Sequence, residues 1–202
     1  LSGTYGFREE LSAYKKTLPT IILISLIGGT IGAWLLMHTP ESQFREAIPW
    51  LLLFATVLFI FGEKINSSLK NKASQGSHAK QVGQMLLLLL LLGICIYGGF
   101  FNAGLGIIAL SYLALAGYTN INAMNGLKLL ISTCVSITAI LLFIFDDMIA
   151  WYQGAIVMLG TLVGGYLAAH ISKQVPQHYV RWFVIFASCG LTVYFFILTY
   201  IT

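Results

Sequence analysis

Charge is what this sequence has least of: Asp, Glu, Lys and Arg make up 9% of 202 residues, and only seven are acidic. So little charge, beside 58% hydrophobic and 13% aromatic residues, excludes a soluble or disordered chain and reads as a polytopic membrane protein. Cysteine is nearly as scarce. Cys95, Cys134 and Cys189 each fall inside an apolar segment without paired spacing, so neither a disulfide framework nor a metal site is suggested, and they read as small core residues. There is no HExxH, CxxC, GxSxG or phosphate loop, and the scattered His and Ser residues have no triad spacing. The expectation is therefore a protein that is not an enzyme and needs no cofactor. The formal net charge of +4 comes from loop lysines and calls for no nucleic-acid partner. No targeting peptide is visible, and the chain opens on the polar stretch Leu1-Ser2-Gly3-Thr4-Tyr5 without an initiator Met, as a fragment would.

What is present is a series of apolar runs. A bilayer core about 30 Å thick takes roughly 20 mostly apolar residues per helical crossing, and the hydropathy pattern predicts helices near 18–37, 47–62, 85–101, 105–117, 122–145, 151–171 and 179–201. Residues 85–117 would form one helix roughly 50 Å long, too long for an ordinary crossing, so this segment must break, tilt or turn back. Between the second and third runs, residues 63–84 carry Lys64, Lys70, Lys72 and Lys80 with one acid, which makes them a cytoplasmic loop by the positive-inside rule. Arg8, Lys15 and Lys16 put the N-terminal end on the same side, consistent with two crossings between. A single kinked crossing over 85–117 would leave Asp146-Asp147 inside and Lys173 and Arg181 outside. A re-entrant hairpin reverses both, and the charges favour it. Trp50, Trp151 and Trp182 read as interfacial anchors.

The glycines of Gly98-Gly99-Phe100-Phe101-Asn102-Ala103-Gly104-Leu105-Gly106 place the break. Irregular backbone at membrane depth survives only where protein or a water-filled cavity satisfies its polar groups, although small residues also serve tight helix packing. In the next apolar helix, Asn122, Asn125 and Lys128 recur at three-residue spacing on one face. A lysine there is expensive and usually faces a cavity or partner, unless it snorkels to the interface. Gly99, Asn102, Gly104 and Gly106 on one side, with Asn122, Asn125 and Lys128 on the other, would make a site for a small anion. A helix restarting after Gly104 or Gly106 would add free N–H groups and a positive dipole end.

The sequence also repeats itself. Gly28-Gly29-Thr30-Ile31-Gly32-Ala33-Trp34-Leu35-Leu36-Met37-His38 matches Gly160-Thr161-Leu162-Val163-Gly164-Gly165-Tyr166-Leu167-Ala168-Ala169-His170 at one offset. After a short insertion, Pro40 and Arg45 echo Pro176 and Arg181. Duplicated halves with sites at discontinuous helices characterise secondary transporters. The expected organisation is the end of a first transmembrane repeat over 1–62, the loop 63–84, and a second repeat over 85–202. By this spacing the counterpart of 98–132 would begin before Leu1, with roughly 50–60 further N-terminal residues. His38 and His170, the titratable pair common to both halves, invite a proton-coupling role, but their positions at span boundaries suit ordinary interfacial histidines better.

The Gly98–Gly106 segment, followed by Asn122-Ala123-Met124-Asn125-Gly126-Leu127-Lys128, Trp151 and Gly160-x3-Gly164-Gly165, resembles the second half of the sulfite exporter TauE/SafE family of membrane transporters. That family shows G-G-F-F-G-A-G-x-G followed by A-N-A-L-K. Asn102 stands where Gly is usual, and Met124 and Gly126 where the motif has Ala. The resemblance implies an all-α polytopic transmembrane helix bundle with two pseudo-repeats and broken helices, lying in the cell (inner) membrane. It implies export or uptake of small sulfur-containing anions such as sulfite, thiosulfate or sulfonates, by alternating access. The expected partners are the small anionic substrate, the lipid bilayer, a coupling ion (proton or sodium) and, in some arrangements, further copies in a homo-oligomer. Two alternatives stay open at this point: a membrane assembly subunit without transport activity, or a transporter of another small organic anion.

Overall fold

The computed structural model describes residues 14, 15, 17–72, 80–172 and 176–201. Among the described residues there are seven helices and no strand: α1 (Leu18–Met37), α2 (Glu41–Lys72), α3 (Lys80–Phe100), α4 (Leu105–Leu115), α5 (Ile121–Phe145), α6 (Trp151–Ser172) and α7 (Gln177–Tyr200). Three stretches, Leu18–Met37, Ile121–Phe145 and Trp182–Tyr200, are long and apolar enough to cross a membrane, while Met85–Phe100 and Leu105–Leu115 are apolar but shorter. Large apolar side chains such as Phe54, Phe145, Trp151 and Phe183 are exposed. Contiguous apolar surface on this scale is a liability in water and the natural surface in hydrocarbon. The chain is an all-α, integral membrane helix bundle.

Helix ends depart from the hydropathy pattern where local chemistry continues a helix past its apolar part. The second helix starts at Glu41 rather than 47: Pro40 sets φ just ahead of the first turn, and Arg45 pairs with Glu41 at 2.8 Å in i,i+4 register. It keeps Pro49 inside it, as membrane helices tolerate. Helix also runs to Lys72 and resumes at Lys80, so the polar 63–84 stretch is helical at both ends. Arg8, Lys16 and Lys173, used in the charge argument, lie outside the described residues, as do the side chains of Lys64, Lys70, Lys72, Lys80, His170 and Arg181.

The core forms where α1 meets α3 and α5. Ser25 faces the Cys95 thiol at 3.5 Å, Gly28 approaches Cys95 and Leu92, and Gly32 approaches Gly99 and Phe100. Positions rise together on both helices, so α1 and α3 run parallel. At Gly32 a side chain is impossible without moving backbone: a Cβ would collide with the Ile96 carbonyl and lie 2.8 Å from the Phe100 nitrogen. Leu91, Leu105, Leu113, Met124, Leu127, Ile131 and Val135 complete a closed apolar cluster, and burying each such side chain contributes about 1.5–3 kcal/mol.

The segment after α3 turns back. Gly98 faces the Leu105 side chain, within 3 Å of where its own Cβ would sit, and seven-residue neighbours meet this closely only across a reversal. The Tyr118 ring, after α4, lies 5.0 Å from that of Tyr14. The far end of α4 has therefore returned to the level where α1 begins. Residues 85–117 form a helical hairpin, the reversal favoured by the charges, and Asp146-Asp147 lies at the opposite end of α5 from Lys15. Burial raises the Tyr118 phenol above its ordinary value, so it stays a neutral hydrogen-bonding group at physiological pH.

Asn120 caps α5, its side-chain oxygen accepting from Asn122 N at 2.9 Å and Ala123 N at 3.2 Å. Asn120→Ala is expected to cost about 1 kcal/mol, seen as a lower thermal midpoint in detergent.

On the other side of the hairpin, α2 packs on α7. Glu46 carbonyl accepts from Tyr200 Oη at 3.3 Å, Trp50 Nε1 donates to Tyr200 Oη at 2.9 Å, the Trp50 ring sits 5.2 Å from Phe196, and the Thr56 hydroxyl lies 3.3 Å from that of Thr192. Positions rise on α2 as they fall on α7, so these helices are antiparallel.

Candidate functional site

The break between α3 and α4 is narrower than the glycine run. Helix continues through Gly98, Gly99 and Phe100, and the chain leaves helical geometry only over 101–104. Asn102 (φ 62°) and Gly104 (φ 74°) both adopt the left-handed conformation, the second without a Cβ penalty. Two of the expected site residues lie differently in this segment. Gly99 is buried, and a Cβ there would meet the Gly29 backbone, so its missing side chain serves helix packing. Asn102 is exposed at the tip of the turn.

Gly104 is the N-cap of α4 and offers no side-chain cap. Ile107 N and Ile108 N reach the Gly104 carbonyl at 3.0 and 3.2 Å, and Leu105 N reaches Asn102 O at 3.3 Å. Among the described residues the N–H groups of Gly104 and Gly106 have no partner. A short apolar helix therefore begins with free donors and its positive end at the turn.

The two glycines point to different neighbours. A methyl group at Gly106 would sit 3.4 Å from Lys128 Cδ, so the lysine stem lies along the start of α4. Gly104 instead faces Ala55 of α2, 3.5 Å from the corresponding point. Lys128 and Asn125 are half-buried, and neither side chain has a hydrogen bond or ion pair among the described residues. Asn122 is exposed beside the α5 cap. Lys128 and Gly106 thus come together, with Asn125 one turn before the lysine, while Asn122 and Asn102 lie at the margins. A methyl group at Gly106 would make only an ordinary contact with the lysine stem, so Gly106→Ala is expected to fold and to transport close to the wild-type rate; a severalfold loss would show that the substrate needs the space beside the stem.

On the α2 and α7 side, Ala103, Gly104 and Ile107 line a half-open cavity of about 170 Å³ with Leu52, Ala55, Thr56, Ser188 and Leu191. Thr56 and Ser188 did not stand out in the sequence. The signal that finds Thr56 is the repeat: Thr56-Val57 and Thr192-Val193 are separated by 136 residues, as are Pro40 and Pro176, whereas Ser188 has Leu52 as its counterpart.

His38 Nδ1 donates to the Trp34 carbonyl at 2.9 Å from an exposed turn at the end of α1. No group of His, Cys, Asp or Glu among the described residues could hold a metal ion.

Comparison with known proteins adds to this geometry. The sequence model of the sulfite exporter TauE/SafE family matches residues 1–195. A probable membrane transporter protein of Haemophilus influenzae is 24% identical over 195 residues, covering 95% of this chain and 72% of the relative. The probable membrane transporter protein YfcA of Escherichia coli K12 is 24% identical over 174 residues, covering 85% of this chain and 61% of the relative. No solved structure matches the chain.

Proposed function

Because this chain belongs to the sulfite exporter TauE/SafE family, we propose that it is the greater part of a secondary transporter of small sulfur-containing anions, such as sulfite, thiosulfate or sulfonates. It works by alternating access in the cell (inner) membrane, as an exporter, with the anion held between two inverted halves. The observation that carries this reading is the pairing of Lys128 with the broken backbone. A lysine that is half-buried, with its stem along Gly106 and no counter-ion among the described residues, is costly in a membrane unless something negative visits it. The unpartnered N–H groups at the start of α4 supply the second wall, since peptide donors and the helix dipole stabilise an oxyanion. Asn125 adds an amide one turn away.

Around this site α4, 11 residues long, is too short to cross a bilayer, and half-helices of this kind flank substrate in transporters with repeated halves. The α1–α2 pair and the α6–α7 pair then run in opposite senses, as the antiparallel packing of α2 on α7 requires. The test uses the full-length protein in proteoliposomes: efflux of labelled sulfite, thiosulfate and a short sulfonate. Efflux of at least one that saturates with concentration is expected. Rates equal to empty liposomes for all three would reject sulfur anions as the substrate class.

A further inference from the structure

We infer that the Thr56–Thr192 contact marks the internal two-fold axis of the transporter, and that the cavity beside it is a second oxyanion subsite built from Thr56, Ser188 and the Gly104 N–H. The inference rests on the reading of the protein as an anion transporter and adds residues that reading did not contain.

The axis follows from numbering and geometry together. Pro40 and Pro176, Arg45 and Arg181, and Thr56 and Thr192 are each 136 residues apart. In an isologous contact a residue on the axis meets its own counterpart, and the Thr56 and Thr192 hydroxyls are 3.3 Å apart, at 6% and 5% exposure. The cavity walls obey the same rule. Leu52 and Ala55 from α2 face Ser188 and Leu191 from α7, and these too are counterparts at 136. The cavity therefore sits at the seam between halves, with the broken backbone of Ala103–Gly104 closing one side.

Its chemistry is that of neutral donors. Thr192 commits its hydroxyl proton to the Ser188 carbonyl at 2.8 Å, so in the 3.3 Å contact Thr56 is the donor. That distance is long for a bond between hydroxyls, whose preferred separation is about 2.7–2.8 Å, and an anionic oxygen would outcompete it. The Ser188 hydroxyl and the Gly104 N–H have no partner among the described residues. Three donors around about 170 Å³ suit a small oxyanion that is leaving Lys128 on the opposite face of α4. Ser188 breaks the symmetry, standing where the other half has Leu52, so this seam is polar on one side.

The test compares Thr56→Val, Thr56→Ser and Ser188→Ala with Lys128→Ala and wild type in full-length protein, reading half-saturation of efflux for whichever of sulfite, thiosulfate and the short sulfonate the wild type transports, and the thermal midpoint in detergent. Thr56→Val is expected to raise half-saturation about tenfold, the loss of one hydrogen bond to a charged group, while Thr56→Ser stays within about twofold and the thermal midpoint holds. Ser188→Ala, which keeps the Ser188 carbonyl, is expected to raise it severalfold and carries the same test if Thr56→Val does not fold. Wild-type half-saturation in both, with transport lost in Lys128→Ala, overturns this subsite alone. No saturable efflux from the wild type overturns both readings.

Discussion

Lys128→Ala is expected to reduce anion transport by about one to two orders of magnitude, the loss of a charge-assisted contact to substrate, with no loss of membrane insertion. The two halves of this outcome have separate causes. Lys128 sits in an apolar helix, and removing its charge makes that helix cheaper to insert. Its stem packs beside Gly106, but its ammonium has no partner among the described residues, so alanine breaks no internal pair. A structural lysine would behave oppositely, since its loss would leave a carboxylate buried alone and lower stability. Lys128→Arg keeps the charge but spreads it over a planar fork, and intermediate transport is expected. The check is initial efflux rate against the amount of protein recovered in the membrane. A Lys128→Ala variant that transports at the wild-type rate would remove the lysine from the site.

Gly32→Ala and Gly99→Ala should be the most damaging small substitutions in the protein. Where α1 meets α3 the two backbones touch: a Cβ at Gly32 would collide with the Ile96 carbonyl, and one at Gly99 with the Gly29 carbonyl. Neither obstacle is a side chain able to rotate away, so the helices must separate and the cluster around Leu91 and Cys95 must loosen. Overpacking of this kind costs about 1–3 kcal/mol, and because both positions press on one contact the double variant should not be additive. Gly93 on the same helix meets nothing within 4 Å, and Gly93→Ala should leave the thermal midpoint at or slightly above its starting value. The measurement is thermal unfolding of detergent-solubilised protein. Equal midpoints for Gly93→Ala and Gly99→Ala would refute the close approach. Loss of stability in Gly99→Ala, with half-saturation unchanged in the protein that remains folded, would mark Gly99 as a packing residue.

Much of this was legible in the sequence because membrane helices announce themselves by apolar length. The end of α1 at Met37, the start of α4 at Leu105 and the span of α5 needed little more than hydropathy and glycine position. The break at 85–117 was legible too, since no ordinary crossing uses so many apolar residues. What the sequence could not separate was the two uses of glycine. Gly99 and Gly104 lie in one run, yet the first allows two backbones to touch and the second allows a left-handed turn, and only the positions of Gly29 and Ala55 distinguish them. Asn102 lies in the same run, and only the structure shows that it is exposed at the tip of a turn with φ of 62°. The repeated glycines carry a similar ambiguity: Gly28 and Gly32 pack α1 onto α3, while Gly160 and Gly164 meet nothing within 4 Å among the described residues. Thr56 and Thr192 were hidden for a different reason. A single threonine in an apolar helix is unremarkable, and its meaning appears only when its counterpart is found across the contact.

The central claim, that the anion binds where α5 faces the broken helix, is tested most directly by protection. In full-length protein with Cys95, Cys134 and Cys189 replaced by alanine, an Asn125→Cys variant is treated with a small thiol reagent at increasing concentrations of a transported anion. Slower alkylation, half-maximal at the concentration that half-saturates efflux, is the predicted result. Alkylation at one unchanged rate while the anion is transported would place the substrate elsewhere.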